Sequence, residues 1–95
     1  MNNVTLVGRL ADNPRKGKNE NSPVYFPIAV NSGKENADFL DVTTFGKLSD
    51  NVLAFCKKGD PVCVQAHLKK QDKEHNYALV IIADRVEFMG GKKND

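Results

Sequence analysis

Aromatic rings and scattered cations are the side chains of this sequence whose types and spacing suggest a chemistry. Phe39 and Phe45 stand six positions apart in ADFLDVTTFGKL (37–48). In an extended chain, residues of equal parity point the same way. Phe39, Asp41, Thr43 and Phe45 therefore share one face of a strand, and Leu40, Val42 and Thr44 share the other, which reads as core. Tyr25 takes the corresponding outward parity in PVYFPIAVN (23–31). Rings held against water gain from a planar ligand, and nucleic-acid bases stack on such rings for about 1–3 kcal/mol each, whatever the base. Either phenylalanine alone could equally cover the edge of a core; two at one parity, with a tyrosine on the neighbouring strand, favour a stacking platform.

Cations supply the other half of such a site. Arg9, Arg15, Lys16, Lys18, Lys34, Lys47, Lys69, Lys70 and Lys73 fall at strand ends or in connectors, where they could neutralise phosphates without reading sequence. For any single lysine a solvated surface is the simpler account, and Lys57 and Lys58 suit a helix end. Asp41, between the two rings, would repel phosphate. Other chemistries find no support. Cys56, Cys63, His67 and His75 lack the paired spacing of a zinc site, and both cysteines suit small apolar positions. No phosphate-cradling glycine loop or nucleophile motif occurs. The expectation is a binding protein without cofactor or metal, and not an enzyme.

The elements that must position these residues are mostly strands. VTLVGRL (4–10) is apolar and β-branched, with Gly8 marking a bend or bulge. Residues 23–31 alternate Val24, Phe26, Ile28 and Val30 against Tyr25, Pro27 and Ala29; Pro27 cannot donate to a ladder, so its stretch must be edge-like or bulged. DPVCVQAHL (60–68) alternates Val62, Val64, Ala66 and Leu68 against Cys63, Gln65 and His67, and YALVIIADRVEF (77–88) carries an unbroken apolar run from Leu79 to Ala83. One helix is expected after the third strand, capped by Ser49, with Leu48, Val52 and Phe55 on its buried stripe and Gly59 as its stop. Residues 12–22, 32–37 and 69–76 are polar and read as exposed loops. Five strands with one helix between the third and fourth predict an all-β, five-stranded OB-fold barrel over residues 1–90, followed by a flexible end, 91–95. A small sandwich shares the strand spacing; the helix position favours the barrel. In this fold ligands lie over the outer face of the second and third strands, where Tyr25, Phe39 and Phe45 are expected.

Ninety-five residues make one domain. Fourteen basic against 12 acidic residues leave a net charge of +2, too mild to announce a polyanion partner by itself. No apolar run approaches the ~20 residues that span a bilayer and no signal-peptide pattern opens the chain, so a cytoplasmic protein is expected. The run 79–83 is apolar at both parities, and Val4, Leu6 and Val7 cannot all point inward at period two. Surplus apolar area implies a second buried surface, which symmetric association usually provides.

MNNVTLVGRL at the start, AVN at 29–31, ADF and FGKL within 37–48, a helix ending in KKG and IIADRVEFM near the end together resemble bacterial and phage single-stranded DNA-binding proteins, from Met1 to Met89. The resemblance implies an OB-fold that coats single-stranded DNA in replication, recombination or repair, commonly as a homotetramer, a dimer being the lesser assembly. It places Phe39 and Phe45 where the family stacks rings on bases, and Lys47 and Arg9 where it often has basic or polar DNA contacts. Two further stacking positions of the family fall on Lys34 and Lys73 here, which thins the platform, and Ala66 replaces a usual glycine. The loops are short for the family. Cellular members continue into a disordered tail with an acidic end that recruits partners; this sequence ends Lys92, Lys93, Asn94, Asp95, as expected either of a shortened chain or of a compact form from a phage or mobile element. The alternative function is an OB-fold protein-interaction module serving replication, which the near-neutral charge and Asp41 favour.

Overall fold

The computed structural model describes residues 1–33, 35–73 and 76–89, with the side chains of 72, 73, 76 and 77 excepted. Expectations resting on Lys34, His75, the Lys73 side chain and residues 91–95 lie outside the described residues. The elements are β1 (Val4–Leu10), β2 (Arg15–Lys16), β3 (Val24–Asn31), β4 (Ala37–Thr44), α1 (Gly46–Phe55), β5 (Pro61–Lys73) and β6 (Asn76–Phe88). Strand order β1-β5-β6-β4-β3, closed by β1 on β3, makes a five-stranded barrel, with β2 a short addition on the edge of β3. All pairings are antiparallel except β4 with β6. This is the predicted OB-fold barrel, with one helix among the described residues, after the third barrel strand.

Alternation decides what fills it. Val24, Phe26 and Ile28 of β3, Val42 of β4, Val62, Val64 and Ala66 of β5, and Leu10 of β1 are buried, joined by Val52 and Cys56 from the helix side. Val4 and Leu6 pack against this core while Val7, on the other parity, is 54% exposed. Ala66 stands at a register shift between Gln65 and Ala66, where a methyl group is accommodated at 1% exposure.

Closure depends on Gly8. A Cβ at this position would strike the Ala29 carbonyl oxygen and lie 3.2 Å from Ile28 Cγ1. The glycine is where β1, still paired with β5 through Gly8 and Val62, meets β3 at Arg9 and Ala29. Pro27 is edge-like in the sense its chemistry requires. Its carbonyl accepts from Ala11 N–H at 2.8 Å, and a strand residue's N–H and C=O point to the same side. The missing donor thus falls away from β4, in the gap between the β1 and β2 pairings.

The helix bounds and two of the loops need correction. The helix starts at Gly46 (φ +63°), after an extended Phe45 with no side-chain cap. Ser49 is inside it and buried, because its hydroxyl has better use: Thr44 Oγ1 donates to the Val24 carbonyl at 3.0 Å, so Ser49 Oγ donates to Thr44 Oγ1, also at 3.0 Å. The buried stripe runs Ser49, Val52 and then Cys56, leaving Phe55 69% exposed. The helix ends when Cys56 turns extended, before Gly59. Lys57 and Lys58 lie in the following turn, their N–H groups donating to Asp60 Oδ2 and Asn13 Oδ1. Finally, 69–76 is not a loop throughout: β5 runs to Lys73 and β6 starts at Asn76, forming a hairpin arm, and 12–22 contains β2.

Candidate nucleic-acid interface

The β3–β4 register builds the outer face row by row. Ala29 lies opposite Phe39, Pro27 opposite Asp41 and Tyr25 opposite Thr43. Across β3 the first row continues to Arg9 and the last to Arg15. The first and last rows thus place a ring and an arginine on the same surface, Phe39 two strands from Arg9 and Tyr25 next to Arg15. Phe39 is 67% exposed, Phe45 52% and Tyr25 45%, as parity predicts. Thr43 shares their parity but is buried, since the parallel pairing of β4 with β6 sets Ile82 beside it.

Phe45 and Tyr25 belong to an open cleft of about 470 Å³ lined also by Asp41 and Thr43 of β4, Ile82 of β6, and Gln71 and Leu79 of the arm. A second hollow, about 400 Å³, lies between Asp12, Arg15, Tyr25, Pro27 and Asp41. Tyr25 and Asp41 line both, so the two form one surface divided by this pair. The apolar run of β6 divides its labour accordingly: Ile81 and Ala83 face the core, Val80 and Ile82 line the cleft, and Leu79 remains 71% exposed. Part of the surplus read as an assembly surface is therefore the wall of this cleft.

The cations are distributed around it. Lys47 is exposed in the first turn of α1, two residues from Phe45, and Lys69 is exposed on the arm opposite Val80. Arg9 is partly committed elsewhere, its guanidinium donating to the Gly59 carbonyl at 2.9 Å. Arg15 pairs with Asp12 at 3.3 Å on an open surface, which costs little to exchange for another anion. Residue patterning had placed Arg15 only among the general cations; its seat beside Tyr25 depends on β2, too short to show periodicity. Gln71 was also missed, because 69–76 reads as a loop, whereas Leu79 reads as part of an assembly surface and not as a cleft residue.

Elsewhere His67 and Cys56 have structural occupations. His67 Nδ1–H donates to both Asp84 oxygens at 3.0 Å. The Cys56 thiol is pushed up to about 11 by burial and, secondarily, by the Asp60 carboxylate. No group of three or more metal-ligating residues occurs among the described residues, and none of their helices is long and apolar enough to cross a membrane.

A small OB-fold barrel with a ring-bearing, cation-rimmed outer face is the class of protein defined so far. The family model of the single-strand binding proteins matches residues 1–89, and the chain belongs to that family. Single-stranded DNA-binding protein 1 of Clostridium acetobutylicum is 34% identical, over 98% of this chain and 97% of its own length. Single-stranded DNA-binding protein B of Bacillus subtilis is 30% identical, over all of this chain and 96% of its own. The crystal structure of a small single-stranded DNA-binding protein from Streptomyces coelicolor shares the fold with a TM-score of 0.73 over 90% of each chain, at 24% identity.

Proposed function

We propose that the chain binds single-stranded DNA with little dependence on sequence, stacking bases on Phe39, Phe45 and Tyr25 and holding phosphates with Arg9, Arg15, Lys47 and Lys69. Lys34 and Lys73 extend the same basic margin in this reading. The observation that carries it is the row geometry, which sets exposed rings beside arginines on one open face. Family membership supports it, and the protein-interaction module is not favoured. Coating of single strands in replication, recombination or repair is the corresponding role.

Association into a homotetramer completes the reading. Val7, Phe88 and Met89 remain exposed on the barrel, and apolar area of this kind is usually covered by a second copy. The test of the binding proposal is a titration of labelled oligo-dT, and of a duplex of matched length, at two salt concentrations. Strong preference for the single strand, weakening as salt rises, is expected. Equal affinity for the duplex would overturn it.

A further inference from the structure

Asp41 is a carboxylate in the wrong place for a phosphate binder. It is exposed at the centre of the outer face and lines both hollows with Tyr25. Its cross-strand neighbour is Pro27, which offers neither a backbone N–H nor a polar side chain. Among the described residues it enters no hydrogen bond or ion pair, whereas Asp12, the other acid of the second hollow, is held by Arg15. The carboxylate is thus left with all its acceptor capacity directed at whatever occupies the face.

Which part of a nucleotide meets it follows from charge. Phosphates are repelled from Asp41 and drawn to the cationic margins, so a strand that stacks its bases on the rings presents base edges to the carboxylate. Phe39, two residues along β4, has its Cα roughly 6.6 Å away, and Tyr25, diagonal across β3, is at roughly 7–8 Å. A base on either ring reaches Asp41 with its edge. Base edges differ in what they can give an acceptor. Cytosine and adenine present an exocyclic amino group, and guanine presents its 2-amino group; thymine presents carbonyl oxygens and a methyl group in their place. An amino group donates a charge-assisted hydrogen bond to a carboxylate. Thymine's one donor, N3–H, lies between two carbonyl oxygens that oppose the carboxylate, so its edge is the poorer partner.

Building on the single-stranded DNA reading above, we propose that Asp41 grades affinity by base, favouring bases that carry an amino group over thymine. Stacking still provides general binding, and Asp41 adds a compositional bias to it. The two pyrimidines isolate the effect, since they have one ring each and the same backbone. At neutral pH and one salt concentration, wild type is expected to bind labelled oligo-dC about five-fold more tightly than oligo-dT of equal length, near the low end of a base-edge contact. Asp41→Asn, whose amide both donates and accepts, should bring the ratio near one, chiefly by tightening oligo-dT. Asp38→Asn is the charge control: Asp38 stands on the other parity of β4, opposite Val30, and should shift both oligonucleotides by the same factor. An unchanged ratio in Asp41→Asn would overturn the proposal. So would equal tightening of both ligands, which would make Asp41 a repulsive charge and nothing more. Binding of neither oligonucleotide by wild type at low salt would instead sink the underlying single-stranded DNA reading, and this proposal with it.

Discussion

At the scale of single residues, the sharpest contrast lies between phenylalanines of opposite parity. Phe26 is wholly buried while Phe39 and Phe45 are more than half exposed, although all three lie in or next to neighbouring strands. Phe26→Ala should therefore cost about 3–5 kcal/mol of stability, measured by urea unfolding; a loss below 1 kcal/mol, about what an exposed position gives, would contradict its place in the core. Cys56 makes a separate prediction. Its thiol is raised from 9.0 to about 11, first by burial and then by Asp60. Between those values the folded chain keeps a proton that the unfolded chain has lost, so stability falls as pH rises through this window. The urea midpoint of wild type relative to Cys56→Ala should hold steady from about pH 7 to 8 and move against wild type near pH 10. Parallel pH profiles of the two proteins would contradict it.

At the scale of elements, what was legible followed from periodicity over a barrel face. The inward sets of β3 and of the first half of β5 and the outward rings at β4 all emerge from period-two alternation, because each of these stretches has a core on one side. The arm had no such signal. Beyond the barrel, β5 and β6 have no interior to face, so Lys69, Lys70 and Gln71 carry no alternation even though a full ladder joins them to Val80, Leu79 and Ala78. The helix start was hidden for a different reason: Ser49 has the chemistry of a cap, yet its hydroxyl is drawn into the Thr44–Val24 network. Gly8 could be read as a special point of β1, but that it guards the β1–β3 seam needed the partner strand. Gly8→Ala should destabilise by about 1–3 kcal/mol, at the upper end because the obstructing atom is backbone. Full stability in that variant would show that closure does not require the close approach.

At the scale of the whole molecule, the barrel explains one apolar surplus and leaves another. Val80 and Ile82 belong to the cleft wall, so the run 79–83 argues less strongly for assembly than it does in the sequence alone. Val7, on the outer face of β1 beside the half-buried Cys63, lies outside that cleft. Light scattering at micromolar concentration should give a mass near four times the 10.5 kDa chain. A monomer would contradict the assembly, and a dimer would show that one surface is used.

The claim on which the rest depends is that the outer rings, not the barrel interior, meet DNA. Affinity for labelled oligo-dT and urea stability, measured together on Phe39→Ala and Phe45→Ala, test it most directly. Each substitution should weaken binding by about 1–3 kcal/mol while leaving the unfolding midpoint nearly unchanged. Wild-type affinity in both variants, or a loss of binding that only tracks a loss of folded protein, would contradict the account.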